Sequence, residues 1–144
     1  MVDNMAEAKY QKYIVTDLKP PDDVKAMAAE YARWATRILW LDDAVVDGAF
    51  HVNCSWYWKA KEGGLPAHRH DFDEVIAFFS SDPQNPHELG AEVEFWLEDE
   101  KYIITKSCLI FVPKGLQHCP LKLLKVDRPI FHFTVGTGGS YTST

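Results

Sequence analysis

The chain has 144 residues, of which 47% are hydrophobic and 25% charged, and its formal net charge at pH 7 is −6. This composition indicates one globular domain, and the acidic excess argues against a nucleic-acid partner, whose phosphates attract Lys and Arg. No apolar run approaches the roughly 20 residues of a membrane-spanning helix, and the N-terminus has no signal-peptide pattern. Three cysteines without CxxC spacing favour a reducing compartment, so we expect a cytoplasmic protein.

The first third of the chain is predicted to be an arm and a helix. Residues 1–20 form a polar arm with one β-like run, KYIVTDL, which is either an edge strand of its own domain or an addition to a second copy. Residues 21–48 are predicted to be a helix and its lead-in, because Pro21, Asp22 and Asp23 suit a helix N-terminus. Apolar residues at helical spacing extend this pattern to Ile38, although RILWL also fits a first strand.

Residues 49–136 are predicted to be a series of strands. Runs rich in β-branched and aromatic residues alternate with turn-forming clusters, and these runs are AFHVNCSWYWKA, HRHDFDEVIAFF, AEVEFWLED, KYIITKSCLIFVP and PIFHFTVG. With only one helix in front, this pattern predicts an all-β barrel or sandwich. Residues 137–144 are predicted to be a small polar tail.

Two segments carry a candidate metal site. His68 and His70 are two residues apart and project to the same face of a strand, and Glu74 keeps the same parity. Two imidazoles and a carboxylate form a set that divalent transition metals accept while keeping open positions. Histidines on strands are often plain structural residues, so a second segment matters: in FVPKGLQHCP a turn at Pro113 presents His118.

These segments resemble the two motifs of the cupin superfamily, G-x5-H-x-H-x3–4-E-x6-G and G-x5-P-x-G-x2-H-x3-N. HRHDFDE matches the first motif and PKGLQH matches the second. The resemblance implies a double-stranded β-helix, or jelly-roll barrel, with a pocket inside. It also implies that His68, His70, Glu74 and His118 bind a divalent transition metal, which is iron, manganese, nickel, cobalt, zinc or copper.

The chain departs from the cupin motifs only at turn positions. Ser81 and Ser107 stand where the motifs have glycine, Lys122 replaces the final Asn, and only four residues separate Gly63 from His68. These changes affect the turns and the loop between the motifs, and they remove no ligand.

Two further residues are candidate acid–base groups. Glu94 shares a strand face with Trp96, opposite Val93 and Phe95, so it is solvated if the apolar face is core and catalytic if the pocket is polar. His132 lies between apolar residues, and it is either part of the core or a proton shuttle that points into the pocket.

We expect a metalloenzyme acting on a small organic substrate with a carboxylate or carbonyl group. Dioxygenases, isomerases and lyases all occur among cupins, so the resemblance does not select a reaction. One alternative is a metal-dependent small-molecule binding or sensor protein without turnover, and another is a metal-free binding protein. The expected partners are a small molecule and a second copy of the chain, with neither nucleic acid nor membrane.

Overall fold

The computed structural model describes residues 8–140, which form two β-sheets preceded by short helical segments. The helical segments are a 3-10 turn (Gln11–Tyr13), α1 (Asp22–Ala26) and α2 (Ala28–Tyr31). The strands are β1 (Ala35–Leu41), β2 (His51–Tyr57), β3 (Glu74–Ser80), β4 (Glu88–Leu97), β5 (Glu100–Lys106), β6 (Cys108–Val112), β7 (His118–Val126) and β8 (Ile130–Gly136). Residues 1–7 of the predicted arm and residues 141–144 of the predicted tail lie outside the described residues.

The two sheets have the strand orders β1-β2-β8-β3-β6 and β5-β4-β7, and every strand pair in them is antiparallel. β8 lies between β2 and β3, and β7 pairs with β4 rather than with its neighbours in the sequence. The chain therefore crosses repeatedly between the sheets, as in a jelly roll. The predicted all-β double-stranded β-helix is confirmed.

The core lies between the two sheets because alternate residues of each strand point inward. Phe78 of β3, Phe95 of β4 and Ile130 of β8 are all at most 1% exposed. Burying each of these side chains contributes about 2 kcal/mol to the stability of the fold. Several polar side chains also lie along this inner face of the larger sheet, and they are His51, Ser55, Glu74, His132 and Thr134.

The helical region is shorter than the sequence predicts. Helix α2 ends at Tyr31, and residues from Ala35 onward pair with β2 as an edge strand. The run from Thr36 to Trp40 contains the β-branched and aromatic residues that suit strands, and tertiary pairing outweighs the helical spacing.

No helix within residues 8–140 is long and apolar enough to cross a membrane. The predicted β-like run of the arm contains a 3-10 turn and no strand.

Two further strand boundaries differ from those expected. The run that was predicted to begin at His68 becomes a strand only at Glu74, so His68 and His70 lie in the irregular segment before β3. β7 was not predicted, because Pro120 and the lysines of HCPLKLLKV obscure the strand pattern. Proline is tolerated there because β7 is an edge strand with irregular register against β4.

Candidate metal centre

Three histidines converge at one end of the barrel. His68 and His70 come from the segment before β3, and His118 is the first residue of β7. One ring nitrogen from each of the three lies within 4.8 Å of the others. The backbones of His68 and His118 also form an isolated antiparallel bridge, with N–H···O distances of 3.0 and 2.9 Å. The two motif segments are thus joined at the ligands themselves.

The fourth predicted ligand, Glu74, faces these imidazoles. Its Oε1 lies 3.4 Å from Nε2 of His70 and 3.1 Å from Nε2 of His118. The side chain of Glu74 is only 1% exposed, and neither of its oxygens has a hydrogen-bond partner among residues 8–140. A buried carboxylate without hydrogen bonds is strongly destabilising unless a cation balances its charge. The structure therefore brings all four sequence-predicted ligands together around one centre.

The ring orientations of two of the histidines fit metal binding. Nδ1 of His68 lies 2.8 Å from the carbonyl oxygen of Pro66, and Nδ1 of His118 lies 3.2 Å from that of Leu116. In the tautomer with hydrogen on Nδ1, each ring donates to its carbonyl and keeps a lone pair on Nε2. Nε2 of His118 is buried without a hydrogen-bond partner in the described part of the chain. Burial lowers the pKa of His68, which favours the neutral, metal-binding imidazole.

Backbone contacts hold the two motif segments in place. The amide of Lys114 donates to Oδ1 of Asp73 at 2.9 Å, and the amide of Gly115 donates to the carbonyl oxygen of His70 at 3.0 Å. Gly115 has φ +84°, a left-handed conformation that glycine adopts without strain. The PKG turn is therefore tied directly to the HxH segment, which explains why both motifs occur in this chain.

Aromatic packing fixes the His70 ring. The Phe72 ring stacks on His70 with a centroid distance of 4.7 Å and an interplanar angle of 13°. Gly136 of β8 makes room for this, because a Cβ there would lie 2.6 Å from Phe72 Cε1. A side chain at Gly136 would displace Phe72 and, with it, the support for the His70 ring.

A polar track continues from the four ligands along the inner face of the larger sheet. His51 is level with Gly136 and Glu74 in the strand register, and its Nε2 lies 3.3 Å from the hydroxyl of Thr134. Burial lowers the pKa of His51 to about 4, although the charge of Glu74 opposes this shift. Strand spacing in the sequence puts His51 and Asn53 on one face, but spacing alone does not indicate whether that face looks inward.

Glu94 is not brought to the metal ligands. It lies on β4 between Val93 and Phe95, whose side chains are buried in the core, so its own side chain projects from the opposite face. The indole N–H of Trp96 donates to Glu94 Oε2 at 3.0 Å and lowers the pKa of the carboxyl, and Lys122 is 3.7 Å away. This placement gives no support to a catalytic role, and that role stays a prediction.

His132 points inward but is enclosed by the core. Its ring stacks between Tyr57 and Phe78, with centroid distances of 4.5 and 5.1 Å. Nδ1 lies 3.0 Å from the carbonyl oxygen of Ala77, and burial lowers the pKa of His132 to about 4. It is therefore a neutral core residue four positions from Gly136 on β8, and its predicted role as a proton shuttle remains a prediction.

The fold is similar to that of solved structures with low sequence identity to this chain. No protein-family model and no curated protein matches the chain. An uncharacterised protein from Klebsiella pneumoniae with a double-stranded β-helix domain superposes with a TM-score of 0.52, over 88% of both chains at 12% identity. The chain has the double-stranded β-helix fold of the cupins.

A second cupin-fold structure covers more of this chain. An oxalate oxidase in complex with glycolate superposes with a TM-score of 0.58 and 14% identity, over 97% of this chain. The chain spans 66% of the oxalate oxidase. At this level of identity the likeness concerns the fold, and the candidate site of this barrel is judged on its own residues.

Proposed function

We propose that this chain is a divalent-metal-binding cupin whose ligands are His68, His70, Glu74 and His118. The observation that carries the proposal is the buried Glu74 carboxylate, which faces three imidazoles and has no hydrogen-bond partner among residues 8–140. Neutral imidazoles and one carboxylate suit divalent iron, manganese, cobalt, nickel, zinc or copper. For metals that take six ligands, such as divalent iron or manganese, four protein ligands leave two coordination positions open for a small molecule.

We further propose that the protein is a metalloenzyme acting on a small organic substrate with a carboxylate or carbonyl group. A divalent metal bound here would act as a Lewis acid on such an oxygen. The chain's own contribution is to orient the ring nitrogens, to hold a carboxylate among them and to restrict water, since His70, Glu74 and His118 are at most 3% exposed. Dioxygenase, isomerase and lyase reactions are all compatible with this ligand set.

A metal-dependent binding or sensor protein without turnover is the second candidate. The placement of Glu94 outside the barrel favours it, because turnover needs a proton donor or acceptor beside the metal. The enclosure of His132 between two aromatic rings points in the same direction.

The first test of the proposal is elemental analysis of protein purified anaerobically without an affinity tag, with His118→Ala beside it. His87→Ala is the matched control, because His87 lies exposed in the loop before β4. We expect about one equivalent of metal in the wild type and in His87→Ala, and little in His118→Ala. Wild-type protein that stays metal-free after reconstitution with iron, manganese, nickel and zinc would overturn both candidate functions.

We also propose that the protein forms a homodimer through the outer face of the larger sheet. The registered rows of this face are apolar: Val52, Val135, Val75 and Phe111 form one row, and Cys54, Phe133, Ala77 and Leu109 form the next. Trp56, Phe131 and Phe79 continue it, with Trp56 and Phe131 rings 5.3 Å apart. Five strands at about 4.8 Å spacing give a face on the order of 500 Å², which is large for an uncovered patch on a monomer.

A second copy is the occupant we propose for this face, because two such sheet faces pack on each other at about 10 Å as in a β-sandwich. In a dimer with a twofold axis, the same patch on each of the two copies forms the interface. Tyr10, Tyr13 and Ile14 of the arm are also more than half exposed, and they offer further apolar contacts to the same partner.

The compartment we propose is the cytoplasm. Cys54, Cys108 and Cys119 are all free thiols in the structure, which suits a reducing environment. Titration with a thiol reagent in denaturant, after purification without reductant, should find three thiols per chain.

A further inference from the structure

We propose that Arg37 forms an anion subsite inside the barrel and binds the carboxylate of the organic ligand whose other end reaches the metal centre. This inference rests on the proposed function, since it assumes that the barrel holds a small organic ligand. It adds a residue that lies outside both cupin motifs, in the run RILWL, which the sequence left open between helix and strand.

The strand register directs Arg37 into the barrel. Arg37 pairs with Ser55, and its neighbours on the same face, Ala35 and Trp40, are at most 4% exposed. A register shift between Arg37 and Leu39 brings Trp40 back to this inner face, opposite Asn53. Arg37 itself is only partly buried, so a ligand can approach its guanidinium.

Neighbouring side chains fix the guanidinium in one orientation. Nη1 of Arg37 donates to Oδ1 of Asn53 at 2.6 Å. The guanidinium lies 4.2 Å from the centre of the Tyr31 ring and 5.5 Å from that of Trp40. Tyr31 is held in turn by a 2.6 Å hydrogen bond from its hydroxyl to Ser55. A planar group fixed in this way is preorganised to bind a carboxylate through two parallel hydrogen bonds.

Arg37 has no acidic partner among residues 8–140. The ion pairs in this part of the chain use other cations, such as Arg33 with Glu30 on the surface. Asp42, at the end of the same strand, instead accepts hydrogen bonds from Trp40 Nε1 and from the amides of Ala44 and Val45. The guanidinium therefore has no carboxylate beside it within residues 8–140, and an anionic ligand would supply one.

The separation of Arg37 from the candidate metal centre along the strands indicates how long the ligand must be. Arg37 reaches Asn53, which is two residues from His51 on β2, and His51 is level with Glu74. Two residues of a strand span about 7 Å, and β8 separates β2 from β3. A single small carboxylate cannot fill both positions, so we infer a ligand with an oxygen-bearing group at each end, such as a dicarboxylate or an oxo acid.

The inference is tested by isothermal titration calorimetry of the metal-reconstituted protein with malonate, succinate, glutarate and adipate. The uncharged diamides of these acids and inorganic phosphate are titrated in parallel. One variant is Arg37→Met, which keeps a long side chain without its charge. The other is Arg37→Lys, which keeps the charge without the planar guanidinium that makes two parallel hydrogen bonds. Arg33→Met is the control, because Arg33 is exposed and pairs with Glu30. The metal content of every sample is measured.

We expect at least one dicarboxylate to bind the wild type and Arg33→Met about tenfold or more tightly than its diamide and than phosphate. Arg37→Met should lose about tenfold or more of this affinity at unchanged metal content, and Arg37→Lys should retain part of it. If Arg37→Met does not fold, Arg37→Lys and Asn53→Ala provide the test, and each should weaken binding several-fold.

Equal affinity of Arg37→Met and wild type would overturn the inference, and so would equal binding of diacid and diamide. Absence of binding of all four diacids to the wild type at millimolar concentration would also overturn it. Arg37-dependent diacid binding by wild-type protein that takes up no metal would support the subsite while refuting the proposed metal function, so the two failures are distinguishable.

Discussion

At the scale of single residues, Glu74 and its histidine neighbours show what the sequence can predict. The resemblance to the two cupin motifs implied four ligand positions, and the structure brings these four side chains together, while their role as metal ligands stays a prediction. The stated geometric reason was only partly right, since His68 and His70 lie in an irregular segment and not on a strand. The inner polar residues His51 and Arg37 were not identified, because spacing alone shows which residues of a strand share a face but not which face lines the barrel.

His70→Ala should weaken metal binding by at least about 100-fold, since removing a direct ligand should have a larger effect than removing a supporting contact. The barrel should stay folded, because its core consists of residues between the two sheets and not of the ligands. The measurement is metal content by mass spectrometry, with far-UV circular dichroism of the metal-free protein as the check on folding. Full metal occupancy in His70→Ala would show that the ligand set is wrong, and His87→Ala should bind metal as the wild type does.

His132 should make the metal-free protein sensitive to acid. Burial lowers its pKa to about 4, whereas the unfolded chain binds the same proton near pH 6.5. The folded state therefore takes up fewer protons between these values, and its stability falls as the pH drops from about 6.5 to about 4. The loss from this one residue is about 3 kcal/mol.

Urea denaturation in the presence of chelator, at several pH values between 7 and 4, measures this effect. His132→Phe keeps the stacking on Tyr57 and Phe78 but has no titrating group, so its stability should depend less steeply on pH. The same slope in His132→Phe and in the wild type would contradict the assignment.

At the scale of secondary structure, the elements that the sequence left open or missed are those that depend on tertiary pairing. β1 has a helical apolar spacing in the sequence, yet it forms a strand because β2 offers it a registered partner. β7 contains Pro120 and lysines, which locally argue against a strand, but an edge position accommodates them. The strands with clear turn signals on both sides, such as β3 and β8, were predicted because local pattern and tertiary pairing agree there.

The segment that carries His68 should respond to a substitution that touches no ligand. A Cβ at Gly64 would overlap the carbonyl oxygen of Leu121 on β7, so Gly64→Ala should push this segment away from the strand. His68 lies four residues after Gly64 and is bridged to His118. Because the displaced segment carries His68, we expect metal affinity to fall about tenfold.

Gly63→Ala is the matched control for Gly64→Ala. It introduces strain at φ +74°, but its Cβ would have no neighbour within 4 Å. Its effect should be on stability, at about 1 kcal/mol, with little change in metal affinity. Competition with a fluorescent chelator measures the affinity of both variants, and equal losses would show that the close contact at Gly64 does not matter for the site.

At the scale of the whole molecule, the larger sheet has apolar side chains on its outer face, although its inner face already packs against the second sheet. Its inner face packs against the second sheet, while its outer face remains uncovered in a single chain. Leu109 and Phe111 at the β6 edge are 65% and 61% exposed, so they can be changed without disturbing the core.

Leu109→Arg should therefore weaken the proposed dimer, because a charge at the apolar interface would have to be buried without a partner. We expect the dissociation constant, measured by sedimentation velocity over a dilution series, to rise about tenfold or more. Leu124→Arg, at an exposed position of β7 in the other sheet, should leave it unchanged. A wild type that sediments as a monomer at every concentration would refute this interface.

A metal ion held by both motif segments would affect how fast the protein is degraded in the cell. Glu74 and His118 stand forty-four residues apart in the chain, and an ion held by both would act as a cross-link that closes this loop. A covalent link over such a loop stabilises a fold by about 4 kcal/mol, and a tightly bound ion would act in the same sense. Metal-starved cells would then hold a chain that opens more often and is degraded sooner, so the abundance of the protein would itself follow the metal supply.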